Sequence, residues 1–164
     1  MVSPETLRRY PLFARQSQYM IEEIALICDE ISLEAGDWLF CEEEEATKLY
    51  LVLDGAVSLT MYLYLNGRGQ HLETMSPLRN GEIIGWSSLV KPHIYTSGAQ
   101  AIEKTTLIMM NALAMRELLD DNPAYGYCFY KRLAEVVSEH LKFKTVQLLS
   151  MVLDSQGKPI KTPA

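Results

Sequence analysis

The sequence has few cysteines, and none of them has the spacing of a disulfide framework or a zinc site. Its three cysteines, Cys28, Cys41 and Cys128, lie far apart and form no CxxC pair. A scattered, odd-numbered set is typical of reduced thiols in a cytosol. We therefore expect a cytoplasmic protein without structural metal, because a chain of 164 residues buries enough surface to fold unaided.

Long apolar runs and an excess of positive charge are also missing. No stretch reaches the roughly 18 consecutive apolar residues that a membrane-spanning helix needs, and residues 1–13 lack the apolar core of a signal peptide. The chain has 15 Lys and Arg against 21 Asp and Glu, a net charge of −6. An acidic surface repels phosphate backbones. We expect neither membrane insertion nor DNA binding by this chain.

Catalytic and metal-binding motifs are absent from the sequence as well. There is no GxSxG, Walker loop, HExxH or dinucleotide-binding fingerprint. His71, His93 and His140 are widely separated and have no ligand spacing. Cys41 and Cys128 are interpreted as small buried apolar residues rather than nucleophiles. The sequence therefore predicts a protein that is not an enzyme and has no metal site.

Short strands separated by turn signals occupy the middle of the chain. The run 48–53 is followed by the turn dipeptide at 54–55, and residues 56–65 alternate between apolar and polar types. Because no helix separates these strands, they predict an antiparallel sandwich or barrel. Helical periodicity appears before them and again after Asn111.

The last helix has more apolar residues than one buried face can use. One set steps by three and four residues, as in a coiled-coil seam. This set consists of Tyr130, Ala134, Val137, Leu141 and Leu148. An exposed stripe of this kind marks an interface, so we expect a homodimer through this helix. The alternative is that both faces pack within one subunit.

The order of these elements and their motifs resembles one known family. The motifs are GDWLF at 36–40, LYLVLDGAV at 49–57, GEIIG at 81–85, NAL at 111–113 and NP at 122–123. Together they resemble the cyclic-nucleotide-binding domain of the catabolite activator protein superfamily over residues 7–150. The resemblance does not extend to the DNA-binding domain of its best-known members, because only about a dozen residues follow the long helix.

The resemblance implies a double-stranded β-roll, jelly-roll-like, flanked by N-terminal helices and a long C-terminal helix. It also implies a single domain over residues 1–152. The expected layout is a helical N-terminus at 3–28, which Pro11 divides into a short first helix and a second one, then the β-roll at 31–110, closing and long helices at 112–151, and a disordered tail at 153–164.

In this family, the turn after the second cassette glycine binds a cyclic phosphate through backbone N–H groups. A glutamate after that glycine takes the ribose hydroxyl, and an arginine about ten residues later pairs with the phosphate. Here Trp86 occupies the glutamate position, Thr96 falls near the arginine position, and residues 82–115 contain no arginine. A buried phosphate without its cation loses a contact worth about 2–5 kcal/mol. That loss moves a micromolar affinity towards millimolar and argues against a cyclic nucleotide as cofactor.

The run GWSSLV at 85–90 looks like an altered-cassette subclass of these domains. The candidate ligand-binding residues are Gly85, Trp86, Ser87, Ser88, Thr96 and Ser97. Trp86 either lines a reshaped pocket or fills the volume that the nucleotide would occupy. Ser87 and Ser88 either face an anion or cap the short helix. Only one of Thr96 and Ser97 is expected to face the roll interior.

These observations leave two hypotheses of different class. The first is a regulatory small-molecule sensor, without the usual contacts to cyclic AMP or GMP, that signals to a partner protein through its long helix. The second is a protein-interaction or scaffold module on the same fold that binds no nucleotide. A roll interior filled by Trp86 and apolar neighbours would favour the second.

Overall fold

The N-terminal segment forms two short helices in a computed structural model that describes residues 2–65, 68–73 and 77–156. Helices α1 (Pro4–Arg8) and α2 (Gln18–Leu26) each follow a serine cap, whose hydroxyl accepts a backbone N–H of the first turn. Residues 9–16 form turns and bends around Pro11, where the sequence predicts the break between the two helices, but the second helix ends at Leu26 and Cys28 begins a strand. Pairing of that strand with a later one outweighs its local helical pattern.

The β-roll consists of eight strands in the described residues. These are β1 (Cys28–Leu33), β2 (Trp38–Phe40), β3 (Lys48–Asp54), β4 (Val57–Leu65), β5 (Arg68–Glu73), β6 (Ile83–Ile84), β7 (Gly98–Ala101) and β8 (Thr105–Asn111). They form two antiparallel four-stranded sheets, in the order β1-β8-β3-β6 and β2-β7-β4-β5. This arrangement confirms the predicted β-roll with flanking helices.

Two helices follow the roll. Helix α3 (Ala112–Asp121) begins after Asn111, whose side chain accepts the N–H of Ala114 at 3.0 Å. Helix α4 (Pro123–Gln156) begins at a proline, whose missing N–H costs nothing at a first helical position. It continues five residues past the predicted end at 151, and residues 157–164 of the predicted tail lie outside the described residues.

The central strand β3 separates two parts of the core. Leu49 and Leu51 pack on the helices, while Tyr50 and Val52 point between the two sheets. All four are buried because one face of the first sheet is covered by helices and the other by the second sheet. The roll interior and the helical layer are therefore separate compartments that share one sheet.

Candidate functional site

The turn that resembles the phosphate-binding cassette starts at Gly85 and continues as a short 3-10 helix, Trp86–Leu89. The Ser88 N–H donates to the Gly85 carbonyl at 2.9 Å and closes this helix. A Cβ at Gly85 would lie 3.0 Å from the Lys48 carbonyl oxygen and 3.1 Å from Tyr95 Cε1. The cassette thus packs tightly on the strand and side chains that form the wall of the roll.

Aromatic side chains fill the roll interior next to this turn. The rings of Phe40 and Tyr95 stack with centroids 3.6 Å apart and planes 11° apart, and the Tyr50 ring lies 5.9 Å from that of Phe40. The cavity that remains beside Gly85 has a volume of about 30 Å³. That volume admits about one water molecule.

The Tyr95 hydroxyl fixes this stack to the backbone. It accepts the Lys48 N–H at 3.1 Å and donates to the Lys48 carbonyl at 2.7 Å. Burial raises the pKa of Tyr95, and burial together with the neighbouring Tyr95 raises that of Tyr50. Both phenols are therefore neutral at physiological pH, and within the described part of the chain no charged side chain lines the small cavity.

Most of the predicted site residues do meet at one place. Five of them line the small cavity, namely Gly85, Trp86, Ser87, Thr96 and Ser97. Thr96 and Ser97 both line it because they precede β7, so the strand alternation that would separate them does not apply.

Ser88 lies on the opposite side of the cassette from the cavity. Its side chain is fully buried, its Oγ has no hydrogen-bond partner in the described part of the chain, and its carbonyl accepts a hydrogen bond from Arg116 on α3. The cassette is therefore supported from behind by α3, and the nearest arginine acts on its backbone rather than in the cavity.

Trp86 connects the cassette to helix α4. The residue is half-buried and packs on the helical part of the core, and its ring lies edge-on to His140 with centroids 5.5 Å apart. His140 Nδ1 also lies 3.8 Å from Glu82 Oε1. Trp86 lines the small cavity on one side and a groove of about 300 Å³ beside α4 on the other.

Phe40 and Tyr95 are the pocket residues that sequence reasoning missed. They fill the roll interior beside the cassette, whereas Trp86, which the interaction-module hypothesis placed there, packs on the helical part of the core. Phe40 is the last residue of the GDWLF motif and Tyr95 directly precedes Thr96. Their positions next to predicted site residues could therefore have indicated a place in the pocket. Their mutual stacking depends on the pairing of β2 with β7, so it could not be predicted from either segment of the sequence alone.

The cysteines differ from the sequence interpretation. Cys41 and Cys128 are exposed, and Cys28 is the buried one. Cys41 follows the end of β2 and lies in a loop, which is why it is not part of the core. Desolvation and the Glu44 carboxylate raise the pKa of Cys41, so its thiol stays protonated at neutral pH. Among the residues described, no three His, Cys, Asp or Glu side chains cluster as metal ligands would.

Comparison with known proteins assigns this fold and turn to a family. The family description "cyclic nucleotide-binding domain" matches residues 30–122, more than half of the chain. The chain belongs to the cyclic nucleotide-binding domain family. Domains of this family are typically regulatory sensors. No curated protein sequence matches this cyclic nucleotide-binding domain.

Solved structures from bacteria are similar to this cyclic nucleotide-binding domain. A protein from Geobacter metallireducens, described as cyclic nucleotide-binding, is 33% identical, with 86% of this chain and 99% of that chain covered and a TM-score of 0.75. The N-terminal domain of a transcriptional regulator from Streptomyces coelicolor is 27% identical, with 82% and 93% covered and a TM-score of 0.63.

The catabolite activator protein of Thermus thermophilus shares the fold. It is 22% identical, with 87% of this chain and 63% of that chain covered and a TM-score of 0.64. Within the described part of this chain, no helix combines the length and apolar character that crossing a membrane requires.

Proposed function

We propose that this chain is a regulatory sensor domain whose roll does not accept cyclic AMP or GMP in the usual family manner. The observation that carries the proposal is the stacked pair of Phe40 and Tyr95, which leaves only about 30 Å³ beside the cassette. Pockets for small molecules occupy about 300–1,000 Å³. A ligand must therefore displace this pair before it enters the roll.

The polarity of the cavity also disfavours an anionic ligand. Its lining is aromatic, aliphatic and hydroxyl-bearing, with Ser87, Thr96 and Ser97 as its side-chain hydroxyls besides Tyr95. Trp86 stands where the family glutamate is expected, and the cavity lining contains no arginine among the side chains that the structure describes. A cyclic phosphate would be desolvated there without a counter-charge. We infer that the ligand sensed is a small uncharged molecule with hydrogen-bonding groups.

Trp86 supplies the route by which a ligand in the roll would act on α4. Trp86 lines the cavity and its ring packs against His140, so a change on one side alters packing on the other. We propose that α4 is the output element and that its position against Trp86 has two states, biased by what occupies the roll.

The test of this coupling is hydrogen exchange in α4 of a Trp86→Ala variant. We expect exchange at residues 133–141 to become about tenfold faster, because loss of the indole contact lowers the free energy of local opening by about 1.4 kcal/mol. Val90→Ala, at the exposed end of the same 3-10 helix, serves as the control and should leave α4 unchanged. Unchanged protection of α4 in Trp86→Ala would contradict the proposal.

We also propose that α4 mediates a homodimer. Leu141 is 66% exposed and Ala134 is exposed, whereas Tyr130 and Val137 are half-buried and pack partly on the core of their own subunit. The side chain of Leu148 lies outside the described residues. Part of this apolar set thus packs within its own subunit, and the rest forms an open apolar edge. A second α4 would cover that edge.

The free thiols and the acidic charge support the remaining parts of the proposal. Exposed, unpaired Cys41 and Cys128 fit a reducing cytoplasm. The net charge of −6 disfavours contact with a phosphate backbone, so we propose a signalling protein rather than DNA as the partner.

A further inference from the structure

A second concave site lies on the outer face of the sheet that contains β2, β7 and β4. This groove has a volume of about 450 Å³. Trp38 from β2 and Tyr62 from β4 line it, Gly98 of β7 forms its floor, and Glu42 and Glu43 border it. None of these residues lines the roll cavity, so the groove is independent of the function proposed above.

A β-bulge turns Trp38 towards this face. Trp38 pairs with Gln100 while Phe40 pairs with Ala99, so β2 has one extra residue, Leu39, against a single step of β7. Residues two apart normally share a face of a strand, but a bulge changes the direction of the side chain. Phe40 therefore enters the roll and Trp38 lies in the outer groove.

The absence of a side chain at Gly98 creates the floor of the groove. A Cβ there would lie 2.7 Å from Thr60 Oγ1 and 2.9 Å from Trp38 Cζ3. The indole thus lies directly over the β7 backbone. Trp38 and Tyr62 stay 48% and 50% exposed, so both side chains are accessible from the solvent side of the groove.

Carboxylates give the groove its charge. Glu42 Oε2 accepts the Tyr62 N–H at 2.7 Å, and this bond holds its carboxylate at the groove with further acceptor capacity. Glu43 has a φ of 68°, uncommon for glutamate, and its N–H donates to the Tyr95 carbonyl at 2.9 Å. Among the described side chains, no lysine or arginine lines the groove, and the acidic run continues to Glu45.

We propose that this groove binds a lysine or arginine side chain from a basic segment of a partner protein. Tryptophan and tyrosine rings attract an ammonium or guanidinium group, and carboxylates at the rim supply charge-assisted hydrogen bonds. Because the groove is open, a single side chain can enter it while the backbone of the partner stays outside. Because several acidic residues are adjacent to the groove, we expect the partner segment to have more than one positive charge.

Binding of a capped pentapeptide with two lysines tests the proposal, with a counterpart that has glutamines in their place. Amide and indole NMR shifts of Trp38 and Gly98 report occupancy in the full-length protein. We expect saturable shifts with the lysine peptide only. Trp38→Leu keeps every carboxylate and should weaken binding about fivefold. Glu43→Gln should weaken it as well, whereas Glu30→Gln, which removes the same charge from exposed β1, should not.

Three results would overturn the proposal. Equal affinity of Trp38→Leu and the unaltered protein would show general charge attraction instead of a site. Equal shifts with the glutamine peptide would remove the role of the cation. Saturation by free choline at lower concentrations than by the lysine peptide would identify a small-molecule site instead of a protein contact.

Discussion

At the scale of single residues, Tyr95 makes two kinds of contact, one through its hydroxyl and one through its ring. It satisfies both backbone groups of Lys48 while its ring stacks on Phe40. Tyr95→Phe keeps the ring and leaves these backbone groups without that partner. We expect its free energy of unfolding, measured by urea denaturation, to fall by about 1–2 kcal/mol. Tyr19→Phe, at a residue that is 56% exposed, should change it little. Equal stability of the two variants would show that the Lys48 contacts are dispensable.

Cys28 gives a pH-dependent prediction at the same scale. Burial, with a smaller contribution from Asp29, raises its pKa to about 12. The unfolded thiol, with a pKa of about 8.5, loses its proton first, so stability present below that pH declines as the pH rises towards 12. Unfolding in urea at pH 8 and pH 10 should show a decrease about 1–2 kcal/mol larger in the unaltered protein than in Cys28→Ala. An identical pH dependence in both proteins would contradict this burial.

At the scale of elements, the β3–β4 connection and the β1–β2 connection offer a matched pair of glycines. Gly55 and Gly36 both have positive φ, 87° and 95°. A Cβ on Gly55 would lie 2.5 Å from the Lys104 carbonyl oxygen, whereas one on Gly36 would meet nothing within 4 Å. Gly36→Ala should cost about 1–2 kcal/mol, the backbone penalty alone. Gly55→Ala should cost at least about 2 kcal/mol more, because a close backbone atom must also move. Similar thermal midpoints for both would contradict the tight approach.

Sequence patterns predicted the elements better than their boundaries. The turn at 54–55, the strand at 48–53 and the Asn111 cap are all local signals, and each appears in the structure. The helix predicted to reach 28 was wrong because Cys28 pairs with Met110, a contact 82 positions away along the chain. The bulge at Leu39 depends on the same kind of distant pairing, so no local pattern indicated that Trp38 and Phe40 face opposite ways.

The open apolar edge of α4 sets the prediction at the scale of the whole molecule. Leu141→Glu should shift the protein from dimer to monomer in sedimentation experiments, because a carboxylate in an apolar seam would be desolvated. Leu26→Glu makes the same change on α2 at a residue that is 67% exposed. It should leave the dimer intact. A monomer for the unaltered protein, or equal dissociation of both variants, would contradict a dimer through α4.

The whole fold was predictable because its motifs recur in order along most of the chain, and the position of the candidate site followed from GEIIG at 81–85. The closed state of the candidate site was not predictable from the sequence. It depends on Phe40 and Tyr95, which come from separate parts of the chain and meet only in the folded roll.

The most direct test of the central claim is calorimetric titration of the full-length protein with cyclic AMP and with cyclic GMP. A roll closed by Phe40 and Tyr95, with no charged side chain among the described residues of its cavity lining, predicts no binding tighter than about 1 mM for either nucleotide. Saturable binding with a micromolar Kd would contradict the account, since it would require the aromatic pair to open and another group to pair with the phosphate.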